Sequence, residues 1–152
     1  MIQRIQTIYL IIALALTSAL FFIDMADIAG PGEFYNLNFK GVADTADENM
    51  LITTIPALTI LLSVTTFLLF ISIFLYKKRM IQIRVCALNM ALLPGTSLMI
   101  FYTGRSFASE LGAEIAYNIT LVLPLIAAIF VFLAIRAIGK DEALVRSLDR
   151  IR

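Results

Sequence analysis

The chain has 152 residues, 61% of them hydrophobic and 15% charged, with twelve Lys and Arg, eleven Asp and Glu, and a formal net charge of +1. Soluble domains average about 45–50% apolar and about 25% charged residues, so this composition points to lipid as the solvent and to one domain, 1–152. The absence of His excludes imidazole-ligated metals, His-ligated haem and His-based triads, and the lone Cys86 inside an apolar run excludes an internal disulfide.

The first element is the uncharged run 5–23, which as a helix reaches roughly 28 Å, close to the hydrocarbon thickness of a bilayer. It is too long for the apolar core of a signal peptide, and it continues through Leu20, Phe21, Phe22 and Ile23 instead of ending on small residues, so it reads as a retained span. The loop 24–50 follows, carrying Asp24, Asp27, Glu33, Asp44, Asp47 and Glu48 against Lys40. It lacks the Asp/Asn spacing, Gly and terminal Glu of a calcium loop, so its acids read as a solvated face. Within it "EFYNLNFKG" alternates, with Tyr35, Leu37 and Phe39 on one face, which predicts a short strand or hairpin capping the helices.

The second span covers 51–76 and as a helix is roughly 39 Å long, which exceeds the hydrocarbon core and calls for tilt or a protruding end. Thr59, Ser63 and Thr66 recur on it at i, i+4, i+7, a stripe expected to face another helix because hydroxyls prefer protein neighbours to acyl chains. The short turn 77–84 holds the basic cluster of "YKKRMIQIR" and leads into the third span, 85–102, where Asn89 is the most polar group and Pro94 with Gly95 predicts a kink. After the loop 103–114, the fourth span covers 115–135, with Pro124 near its middle as Pro56 is in the outer half of the second. The pieces "MIQRIQ" and "MIQIRV" each open a span in the same direction and hint at a duplicated hairpin, a pattern that low-complexity spans also produce by chance.

Direction follows from charge. Arg4, the four bases of the 77–84 turn, and Arg136, Lys140, Arg146, Arg150 and Arg152 lie on one side, with only Lys40 and Arg105 on the other. That asymmetry places both termini and the 77–84 turn in the cytoplasm. A nucleic-acid role for the basic cluster is rejected, since one tight turn offers no broad basic face. The tail 136–152 restarts after Gly139 with acids first and bases last, the order that suits a helix dipole, and predicts a short amphipathic cytoplasmic helix from about Asp141, joined to the fourth span or separate from it. Its apolar stripe of Leu144, Leu148 and Ile151, joined by Val145, is the expected contact for the membrane surface or for a protein partner.

The borders "MIQRIQTIYL", "YKKRMIQIRVCALNM" and "AIRAIGKDEALVRSLDRIR" together resemble a family of small four-span membrane proteins from Bacteroidetes described as a domain of unknown function. The resemblance spans the chain and implies a bacterial inner membrane, while supplying no activity, cofactor or catalytic residue. Some members of that family bear the label of a transcription-termination factor, an RNA-dependent ATPase. No G-x-x-x-x-G-K-S/T loop is present in this sequence to support it.

The resulting expectation is an all-α integral membrane four-helix bundle. Its function reads as a non-enzymatic accessory or assembly subunit, which contacts the lipid bilayer and offers the outer loop or the tail to protein partners. A small transporter or channel built as a homo-oligomer is the alternative; a lipid-modifying enzyme is weaker still, because no carboxylate pair or activated nucleophile lies at a suitable depth. No catalytic, cofactor-binding or metal-binding residue is nominated.

Overall fold

The computed structural model describes residues 3–30, 33–45 and 51–149. Among them are four α-helices, α1 (Gln3–Ala19), α2 (Pro56–Phe74), α3 (Arg79–Leu111) and α4 (Leu123–Asp149), and five strands, β1 (Ala26–Ala29), β2 (Phe34–Leu37), β3 (Gly41–Asp44), β4 (Leu51–Thr54) and β5 (Glu114–Tyr117). The all-α expectation is therefore corrected: the strands form one antiparallel sheet in the order β4-β3-β2-β1-β5. The loop after α1 and the loop after α3 each leave backbone groups that need partners, and they satisfy one another, with Ala26 opposite Tyr117 and Ile28 opposite Ile115. The predicted strand at 34–37 is present, and Tyr35 and Leu37 face the helices together as the alternation requires.

The apolar runs divide differently from the predicted spans. Residues 51–54, assigned to the second span, are β4, and Pro56 is the first residue of α2 and not an interior break. A helix N-terminus has no acceptor for its first N–H groups, so the donor that proline lacks costs nothing there. Pro124 likewise stands in the first turn of α4, and the preceding 114–117 is β5. Proline does enter the interior of α3 at Pro94, and the helix continues through it. With 33 residues, α3 is about 50 Å long; it takes up most of the predicted 77–84 turn and of the 103–114 loop. Its last turns reach the sheet, where Phe107 and Ala108 pack against the inner face of the strands, with Phe107 set edge-on against Tyr35 at 6.0 Å. Gly112 ends α3 in the left-handed conformation while the Ala113 N–H bonds to Ala108 O. The tail helix is not separate: α4 runs unbroken past Gly139 to Asp149, while the side chains of Leu144, Val145 and Leu148, and all of Ile151, lie outside the described residues.

Three helical segments, 56–74, 79–111 and 119–143, are long and apolar enough to cross a membrane; the apolar part of α1, Ile5–Ala19, is shorter. Each helix packs along two neighbours, α1 against α4 and α2, and α3 against α2 and α4. The buried positions advance by alternating steps of four and three: Gln6, Leu10, Ala13 and Thr17 on α1; Leu58, Leu62, Thr65, Leu69 and Ser72 on α2; Gln82, Cys86, Asn89, Leu93, Thr96 and Ile100 on α3; Ala127, Val131, Ala134, Ile138 and Asp141 on α4. A repeat of 3.5 residues is the knobs-into-holes spacing of helices that cross at shallow angles. Ile60, Phe67 and Phe74 are exposed on the opposite side of α2, which is apolar as well.

Candidate functional site

The outer face of the sheet is built by register. Ala26, Ile28, Tyr35, Leu37, Val42, Ile115 and Tyr117 turn inward and join Leu20, Leu58, Leu62 and Ile100 in one cluster. Their strand neighbours Asp27, Ala29, Phe34, Asn36, Glu114 and Ala116 must then turn outward, since successive side chains alternate across a sheet. They line a groove of about 400 Å³, with Phe34 65% exposed beside it. A second recess of about 330 Å³, next to Lys40, is lined by Phe22, Asp24, Asn36, Asn38 and Asp44. Asn36 donates to Asp24 Oδ2 at 3.3 Å and accepts from the Thr45 hydroxyl at 3.2 Å.

The sheet is fastened to the helices by polar as well as apolar contacts. In the β2–β3 turn, Asn38 Oδ1 accepts the N–H groups of Lys40 and Gly41. The carbonyls of Phe39 and Lys40 in that turn receive the Thr59 hydroxyl at 2.7 Å and the Ile55 N–H at 2.9 Å. Thr120 donates to Asp24 O at 3.0 Å, and Tyr117 donates to Phe101 O at 2.8 Å while stacking on the Phe101 ring. The Tyr35 hydroxyl donates to the Glu33 carboxylate, which raises its pKa, with burial and the charges of Glu33 and Asp44 adding to the effect. Burial raises that of Tyr117, against an opposing pull from Arg105.

A polar seam runs through the helices. Gln6 donates to Asp141 across α1 and α4, Gln82 donates to Ser72 O at 2.9 Å, and Ser97 donates to Leu121 O at 2.9 Å. Asn89 is fully buried, as its sequence position suggested, yet neither of its side-chain polar atoms has a partner. The hydroxyls of the predicted Thr59, Ser63, Thr66 stripe do not bond to another helix. Thr59 reaches the sheet turn, and Ser63 and Thr66 donate to Thr59 O and Leu62 O of their own helix. The buried hydroxyls on α2 are Thr65 and Ser72, which no pattern of polarity alone separates from Ser63. They are found by the four-three spacing they share with Leu58, Leu62 and Leu69.

At the end remote from the sheet lie two grooves. One, of about 600 Å³ between α1 and α2, is lined by Gln6, Thr7, Ile73, Phe74, Tyr76 and Gln82 among others. The second, of about 360 Å³, lies between α1 and α4. Among the described residues no three Cys, Asp or Glu side chains come together as a metal site would need.

The sequence profile of the family described as domain of unknown function DUF4293 matches residues 2–151, and the chain belongs to that family. Comparison with curated proteins gives no match.

Proposed function

We propose that this DUF4293 member is a multi-pass protein of the bacterial inner membrane with cytoplasmic termini, and that it acts without catalysis, as an accessory or assembly subunit offering its outer sheet to a protein partner. The observation that carries this reading is the shared core: Ile28, Leu37 and Val42 of the sheet and Leu20, Leu58, Leu62 and Ile100 of the helices form one buried cluster. A platform with that much common core keeps its orientation to the membrane, which suits a docking part better than a mobile loop would. The bias of basic residues toward the sheet-distal end supports a cytoplasmic location for that end. Asp27 and Glu114 line the same groove as the exposed Phe34, so the partner surface best matched to the groove is cationic with an apolar part.

The test is affinity purification in mild detergent of the wild type and of a Phe34→Ala, Asp27→Lys, Glu114→Lys variant. Proteins retained by the first and lost by the second are the expected result. Identical retained proteins would refute a role for the sheet. The transporter or channel reading keeps one observation in its favour, the partnerless Asn89 in mid-helix, and ion or solute flux through proteoliposomes would select it.

A further inference from the structure

The groove between α1 and α4 is lined by the apolar side chains of Ile5, Leu133 and Ala137, by Tyr9, and by Arg136, Lys140 and Asp141. Arg136 and Lys140 stand one helical turn apart and share a face of α4. Neither cation has an ion pair or hydrogen bond among the described residues, nor has the Tyr9 hydroxyl a hydrogen-bond partner, although its ring packs on Phe130 at 6.3 Å. Three side chains whose donors lack acceptors thus line one groove. Asp141 does not supply the missing acceptor: it is 7% exposed and its Oδ2 is taken by Gln6. Two cations against one carboxylate leave a single formal positive charge.

We infer that this groove binds one phospholipid with an anionic headgroup. The phosphate lies between Arg136 and Lys140, and an acyl chain runs along Leu133 and Tyr9 toward the middle of the helices. The direction follows from the fold: α4 descends from the sheet end, so Leu133 is deeper than Arg136 and Lys140, and α1 runs the opposite way, so Tyr9 is deeper than Ile5. A guanidinium and an ammonium at the edge of the hydrocarbon need either water or an anion, and a phosphodiester supplies charge and several acceptor oxygens at once. Its single negative charge matches the net charge of the groove. This inference is independent of the role assigned to the outer sheet.

The test is native mass spectrometry of the full chain in neutral detergent with phosphatidylglycerol or phosphatidylcholine added at equal mole fraction. The wild type is expected to retain one phosphatidylglycerol in preference to phosphatidylcholine. Arg136→Gln with Lys140→Gln should weaken that retention about tenfold or more. A control, Lys78→Gln with Arg84→Gln, removes the same charge from exposed positions outside the groove and should leave it intact. Leu133→Trp should block the lipid by filling the groove without any change of charge, and circular dichroism checks that each variant is folded. Equal losses in the groove and control pairs, or undiminished binding by folded Leu133→Trp, would overturn the inference in favour of diffuse surface attraction.

Discussion

Gln6 Nε2 and Asp141 Oδ2 lie 2.5 Å apart in a buried contact that joins the first helix to the last. Losing one partner strands the other, whereas losing both at once removes the need for the bond. Gln6→Leu is therefore expected to destabilise the protein by about 1–3 kcal/mol in detergent unfolding, and Gln6→Leu with Asp141→Leu by clearly less. A double variant as damaged as the sum of its single changes would show that the contact carries no coupling.

Gly41 has φ of +151°, and a Cβ placed on it would meet Thr53 O at 2.0 Å. Thr53 belongs to the neighbouring β4 backbone, which cannot swing aside as a side chain could. Gly41→Ala should cost about 1–3 kcal/mol or more and loosen the sheet first. Hydrogen exchange at β3 and β4 would report it, and unchanged protection would contradict the close approach.

Asn89 buries an amide with neither its donor nor its acceptor engaged. Leucine has the same branched heavy-atom outline with nothing to desolvate, and its extra bulk offsets only part of that gain, so Asn89→Leu should stabilise the protein by about 1 kcal/mol. A loss of stability instead would mean that the amide is used in the working protein, and would strengthen the transport reading.

The pH response of Tyr35 has a definite sign. Hydrogen bonding to Glu33, burial and nearby acid charge all raise its pKa, so folding favours the neutral phenol. Its contribution is fully present below the ordinary tyrosine value of about 10 and is lost as pH rises through the folded-state value. The stability advantage of wild type over Tyr35→Phe should thus hold up to about pH 10 and shrink as pH rises above it. A gap that widens with pH would show that the phenolate is the favoured form.

The positions of the long apolar segments and the sided distribution of Lys and Arg could be read directly, because both depend on composition within a local window. Asn89 and Cys86 were legible as buried residues for the same reason. Local pattern also found β2, since Tyr35 and Leu37 alternate with polar neighbours. It could not find β4 or β5: "LITT" and "EIAY" merge into adjacent apolar runs, and β5 pairs with β1, a partner far away in the chain. A short apolar stretch has no helix or strand period of its own, and only the sheet that receives it decides.

The rotation of α2 was hidden for a different physical reason. When lipid is the solvent, both the core face and the outer face are apolar, so the contrast that fixes the phase of a helix in water is missing. Choosing Thr59, Ser63 and Thr66 over Leu58, Leu62 and Thr65 is an offset of one residue, or about 100° of rotation. The four-three spacing was present in the sequence throughout, but which face it belonged to was decided by Ser72 meeting Gln82, and by Thr59 meeting the turn of the sheet.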